Sequence, residues 1–106
     1  LKRGECFAKM EIYSGAIDDY TRAISIAPKP DLYFDRGFFY MQLKKYPEAK
    51  ADFDKSLELN VADEKLAKHN RGICSYFIGE KESACKDWLS AGEVSLDFLK
   101  KYCNQN

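Results

Sequence analysis

One spacing dominates this sequence and returns three times. An Arg-Gly pair opens each copy, at Arg3-Gly4, Arg36-Gly37 and Arg71-Gly72. Three residues after the glycine stands Phe7, Tyr40 or Ser75, and twelve after it stands Ala16, Ala49 or Ala84. An aromatic follows four residues later (Tyr20, Phe53, Trp88), and a small residue three later still (Ala23, Ser56, Ala91). The glycines are 33 and 35 residues apart, and no insertion interrupts a copy. A period in this range signals stacked copies of one supersecondary unit. Such a unit cannot bury its apolar face alone and needs its neighbours.

Within the period, apolar residues recur at helical spacing. Ile17, Tyr20, Ile24 and Ala27 share one face, as do Tyr46, Ala49, Phe53 and Leu57. The stops are Pro28 and Pro30, then Pro47, then Gly79 and Gly92. Proline is tolerated in a first helical turn, so Pro47 marks a start as much as a stop. No segment alternates with period two. The pattern predicts an all-α chain of about seven helices, over roughly 1–12, 15–27, 31–44, 47–59, 63–78, 81–91 and 95–104. Each is only about 15–24 Å long at ~1.5 Å per residue. Helices this short are marginal alone and need packing partners.

The skeleton resembles the tetratricopeptide repeat (TPR), whose pattern is W-x2-L-G-x2-Y…A-x3-F…P over about 34 residues. The resemblance covers essentially residues 1–91, as units of about 1–30, 31–62 and 63–92, with a closing helix over about 94–104. The leucine before the glycine is arginine in all three copies, and its aliphatic stem can still pack. The leading Trp is Tyr33 in the second copy and Lys68 in the third. The closing Pro survives only as Pro28, with Val61 and Leu96 at the other two places. The resemblance implies one domain: a right-handed superhelical array of antiparallel helix pairs, A and B. The chain begins at Leu1 with no Met, and the expectation is a part of a longer chain.

The repeat explains its residue types. Gly4, Gly37 and Gly72 fall within helix A, where glycine costs ~1 kcal/mol against alanine. That cost is reasonable where helix B crosses closely, with Ala16, Ala49 and Ala84 as the matching small side. Tyr20, Phe53 and Trp88 then fill the space between a unit and its successor. The last unit has no successor, so "SLDFLKKYC" is expected to cover Trp88 with Leu96, Leu99 and Tyr102, flanked by Phe98, and with Ser95 as N-cap.

Composition excludes several function classes. Lys+Arg and Asp+Glu both number 17, so no net charge draws the chain to nucleic acid or an anionic membrane. The longest apolar runs are a few residues, such as Phe38-Phe39-Tyr40-Met41, too short to span a bilayer. "GEKESACK" lacks the second glycine and the GK[ST] ending of a phosphate loop. "DFDKSLELNVAD" lacks the turn glycine and final glutamate of a calcium loop. Asp18 and Asp19 read as solvated surface. Cys74 near His69 has no third group to make a nucleophile. The four cysteines (Cys6, Cys74, Cys85, Cys103) form no CxxC pair, and with one histidine they build no zinc site. Two readings remain for them: small residues in helix packing, or a disulfide between Cys85 and Cys103 if the last two helices are antiparallel. The expected compartment is cytoplasmic, or extracytoplasmic if that pair forms.

No enzyme, cofactor or metal site is expected. In TPR domains the A helices line a concave peptide-binding groove. Carried over by position, that surface holds Asp31, Phe34, Asp35, Phe38, Met41 and Gln42 in the second unit. The third contributes Leu66, His69, Asn70, Ile73, Tyr76 and Phe77, and the first Leu1, Glu5, Ala8 and Lys9. One TPR subclass grips the C-terminal carboxylate of chaperone tails with Lys, Asn and Arg. The matching places here hold Leu1, Glu5, Asp35, Leu66 and Asn70, which disfavours that ligand. The expected function is a non-catalytic scaffold binding a peptide or amphipathic helix of another protein, with aromatic and Met anchors. Periodicity leaves open whether Phe34, Phe38, Ile73 and Phe77 are groove or interhelix core. Self-association through apolar surface of the first unit stays open too. The alternative functions are an architectural fragment whose binding face lies elsewhere, or an auxiliary subunit of an enzyme.

Overall fold

Turn chemistry sets where the helices begin and end. A computed structural model describes residues 2–103, with side chains from Lys9 onward. Five main helices follow one another: α1 (Lys2–Ile26), α2 (Pro30–Gln42), α3 (Tyr46–Glu58), α4 (Glu64–Phe77) and α5 (Lys81–Ala91). Pro30 and Pro47 each sit in a first turn, where the missing N–H costs nothing. Asp63 caps α4, its carboxylate accepting from the Leu66 N–H at 3.2 Å. Lys44 and Gly79 take positive φ (60° and 93°) between the helices of the second and third units, and Asn60 (64°) does so between those units. That left-handed conformation ends each helix and turns the chain back.

The helices pack mainly on their sequence neighbours: α1 on α2, α2 on α3, α3 on α4, α4 on α5. The pairs α2/α3 and α4/α5 are the expected A and B helices of units two and three. Ala49, Phe53 and Cys74 form a fully buried cluster between them, with Phe34, Tyr40, Met41 and Tyr46 packed around it. Ala84, Trp88 and Ala91 are buried in the third unit. Gly37 and Gly72 do sit at close crossings, and the group each admits is the aromatic. A Cβ on Gly37 would stand 3.2 Å from the Phe53 ring, and one on Gly72 only 2.5 Å from Trp88 Nε1.

Three expectations are corrected. The first concerns the predicted helices over 1–12 and 15–27, which are one continuous helix, so five main helices and the closing segment replace seven helices. The position that takes positive φ as Lys44 or Gly79 is Glu11 in the first copy, and the place of Pro47 is held by Ser14. The chain continues helical through both places, and one glycine, Gly15, does not break a helix. Gly4 and Ala16 therefore lie about 18 Å apart along one axis rather than face to face.

Second, the closing helix is composite: a 3₁₀ turn (Gly92–Ser95), a short α-helical turn, α6 (Leu96–Phe98), and a π-helical turn (Leu99–Cys103). Third, Ser95 makes no cap hydrogen bond. Its hydroxyl is buried and meets His69 Nδ1 at 2.7 Å. The expected positions Leu1 and Asn104, and the side chains of Arg3, Glu5, Cys6, Phe7 and Ala8, lie outside the described residues.

Candidate functional site

The ten residues assigned to the A-helix face fall at matching places on two helices: Phe34, Asp35, Phe38, Met41 and Gln42 on α2, and His69, Asn70, Ile73, Tyr76 and Phe77 on α4. Tertiary packing divides them. Phe38 and Phe77 stay open to solvent, 43% and 60% exposed. Phe38 lies edge-on to Phe39 at 5.8 Å, and Phe77 stacks on Tyr46 at 4.7 Å. Gln42 is exposed, while Ile73 and Met41 are half-buried. Phe34 and Met41 lean on the central cluster, Phe34 edge-on to Phe53 at 5.5 Å. Asp35 faces α1, where its charge, added to burial, raises the Tyr20 hydroxyl above its ordinary 10.0.

The remaining three sit at the C-terminal end. Asn70 is buried. His69 packs edge-on to Phe98 at 4.9 Å, and burial lowers its pKa below 6.5. Tyr76 touches Tyr102 at 4.7 Å and Trp88 at 6.0 Å. Of the expected cover over Trp88, Tyr102 and the flanking Phe98 lie against the ring, at 5.8 and 5.2 Å, while Leu96 does not. Leu96 is exposed, because the 3₁₀ turn before it shifts the register and leaves the i, i+4 pair facing inward. The Trp88 indole N–H donates to the His69 carbonyl at 3.2 Å. Cys85 and Cys103 form a disulfide across this end, Cα atoms 5.9 Å apart. Cys74 points the other way, into the central cluster, where burial pushes its thiol up to about 12. It is thereby separated from His69 and held as the unreactive thiol.

One feature was missed at the level of sequence. Arg36 and Arg71 do more than pack their stems. Arg36 donates from Nε and Nη2 to the Asp52 carboxylate at 2.8 and 2.7 Å, and from Nη1 to Thr21 Oγ1 on α1 at 3.1 Å. Arg71 repeats this on Asp87, again at 2.8 and 2.7 Å, and reaches back to Asp54 on α3 at 3.0 Å. Each guanidinium therefore ties its own helix B to helix B of the unit before. These bonds hold both arginines above their ordinary pKa. The signal was available: an aspartate stands sixteen residues after each arginine, immediately before the aromatic.

Several hollows accompany this arrangement. A groove of about 490 Å³ runs between α1 and the end of α2, lined by Lys9, Met10, Tyr13, Gln42, Leu43 and Lys44. Two others flank the disulfide around Leu89, of about 340 and 430 Å³. A polar hollow of about 270 Å³ lies beside Arg71 and Asp87. Among the described residues, no three His, Cys, Asp or Glu side chains stand where they could hold a metal. No described helix is long and apolar enough to cross a membrane.

Comparison with known proteins agrees with this geometry. The tetratricopeptide repeat family profile matches residues 30–61, the whole second unit. Tetratricopeptide repeat protein 13 of Homo sapiens is 30% identical over 101 residues, which is 95% of this chain and 12% of that protein. The chain is a tetratricopeptide repeat protein. It spans about an eighth of the length of the curated relative it matches. The TPR skeleton accounts for the two glycine crossings and the buried alanine–aromatic pairs. The arginine–aspartate ties stand where the TPR pattern has leucine before the glycine, and replace an apolar contact by a bidentate ion pair.

Proposed function

We propose that this TPR chain is a non-catalytic protein–protein interaction scaffold that holds a peptide or helix of a partner along its A-type helices. The stacked pairs curve as a right-handed superhelix in this reading, with α2 and α4 on the inner side. One observation carries it: Phe38 and Phe77, on successive A helices and one helical turn apart in repeat position, keep large apolar side chains in solvent. Met41, Ile73 and Gln42 flank them, and Phe34 and Tyr46 support them from the core. Such aromatics, backed by packing and open in front, are the anchors a partner segment would bury. Asp35, His69, Asn70 and Tyr76 serve the architecture behind this surface. A pull-down with the intact chain tests the reading. Phe38→Asp should lose the bound protein, whereas Leu89→Asp, on α5 beside the disulfide, should keep it. Equal capture by both variants would sink the A-helix assignment.

A second reading concerns the larger protein. In this reading the chain is one module of a longer tetratricopeptide repeat protein, as its 12% share of the relative's length supports. The Cys85–Cys103 disulfide supports residence in an oxidising compartment, where such bonds persist.

A further inference from the structure

The arginine before the glycine has different neighbours in the second and third units. Arg36 lies against two rings, its guanidinium carbon 5.7 Å from the centre of Tyr33 and 5.8 Å from that of Tyr40. Those tyrosines stand four residues before Gly37 and three after it. The same places around Gly72 hold Lys68 and Ser75. Lys68 is drawn aside, its ammonium donating to Ser90 Oγ at 2.8 Å and pairing with Glu64 at 3.0 Å. Among the described residues, no aromatic ring lies over Arg71.

Beside Arg71 there is instead the polar hollow of about 270 Å³ where α3, α4 and α5 meet, with Lys50, Asp54, Ser75, Lys86 and Asp87 in its wall. Ser75 is fully buried, and its Oγ has no hydrogen-bond partner among the described residues. A buried hydroxyl left unpaired is unfavourable, so a group that enters and pairs with it gains from doing so. Most of the charge in the wall is already matched: Arg71 holds Asp87 and Asp54, and Lys50 holds Glu80. An ion would compete with these pairs, whereas a neutral ring carrying one hydroxyl would not. A cavity of about 150 Å³ suffices for benzene, so the hollow has room for one such ring.

We propose that this hollow takes a tyrosine side chain of a partner protein. The tyrosine enters hydroxyl first, pairs with Ser75 Oγ, and lays its ring against the Arg71 guanidinium. It supplies from outside what Tyr40 supplies to Arg36 from within the second unit. Arg71 keeps its aspartates, as Arg36 keeps Asp52 with two rings beside it. The site uses neither Phe38 nor Phe77 and stands apart from the A-helix surface.

Two-dimensional amide NMR of the full chain, titrated with N-acetyltyrosinamide, tests it. Binding is expected at millimolar concentration, with shifts centred on Lys50, Arg71, Ser75 and Lys86. Ser75→Ala should weaken it about fivefold through loss of one hydrogen bond. A saturated ring, as in 4-methylcyclohexanol measured against 4-methylphenol, should bind about threefold more weakly. Ser75→Tyr installs the residue of the second unit and should abolish binding by filling the hollow, its own spectrum showing whether the chain is folded. If that variant does not fold, Ser75→Ala and the pair of ring probes decide. Leu89→Asp, on another part of α5, should bind as the unaltered chain does. An absence of shifts, the result for a hollow filled by water alone, would overturn the proposal. So would binding indifferent to both Ser75 substitutions, equal binding of the saturated ring, or loss of binding in Leu89→Asp. Binding of 4-methylphenol without N-acetyltyrosinamide would overturn it too, marking a site for free phenols rather than a protein side chain.

Discussion

The first and third units face the same problem and meet it differently. In the third unit, helix B has a face that a further A helix would cover. A short composite segment takes that place, sets Phe98 and Tyr102 over Trp88, and is fastened to α5 by a disulfide. At the N-terminal end, helix B of the first unit lacks its own A helix, because α1 runs straight through the expected turn. The third unit is closed by the segment that follows it, whereas Ala16 and Tyr20 of α1 stay half-buried. Burial in a helical array thus depends on turns as much as on the apolar pattern.

The largest expected difference is at the aromatics. Trp88→Ala should cost about 4 kcal/mol in urea unfolding, because the ring is fully buried. Tyr20→Ala, half-exposed, should cost roughly 1 kcal/mol. Equal losses would mean that the first unit is as closed as the third. Next come the aspartates. Asp87→Ala strips Arg71 of its bidentate partner and should cost about 3 kcal/mol. Asp19→Ala should change stability by about 0.5 kcal/mol or less.

The disulfide probes the closed end directly. Removing it with Cys103→Ser frees a link across 18 residues and should cost about 3 kcal/mol. Hydrogen exchange should then rise first around Trp88, and not in α2. Glycines give a smaller contrast of opposite sign. Gly72→Ala forces the Trp88 ring aside and should destabilise by about 2 kcal/mol. Gly15→Ala meets open space and should stabilise α1 by roughly 1 kcal/mol.

The smallest effect is pH dependence. His69 is held below 6.5 in the folded chain, so the unfolded chain takes up the proton first. Its contribution is fully present above pH 6.5 and is lost as pH falls through the folded-state value. Melting followed from neutral to mildly acidic pH should show this decline, and His69→Gln should remove it without altering α1.

Much of the fold was legible in the residues. The glycines, alanines and aromatics named the units, their phase and their close crossings, since backbone approach and ring volume are properties of residue type. The hairpins of the second and third units followed from Pro47, Gly79 and the helical periodicity. The candidate site was less legible. Phe34 and Phe38 have the same period and similar chemistry, yet one leans on Phe53 and the other faces solvent. Helical spacing places both on one side of α2 and says nothing of the angle at which α4 arrives. His69 and Tyr76 looked like groove residues because the path of the closing segment, with its 3₁₀ and π turns, is not written in a 3.6-residue period.

The sequence by itself determined that one skeleton of Gly, Ala and aromatic recurs with a period near 34 residues, a pattern that buries its apolar surface by stacking on its neighbours. It also held the Arg-x15-Asp code, in letters if not in an obvious reading. Only the tertiary structure decided which copies of that code close. A bidentate ion pair needs its two helices brought antiparallel, and the backbone turns left-handed at Lys44 and Gly79 but stays helical through Glu11. The same skeleton is therefore a buried hairpin twice and a continuous helix once.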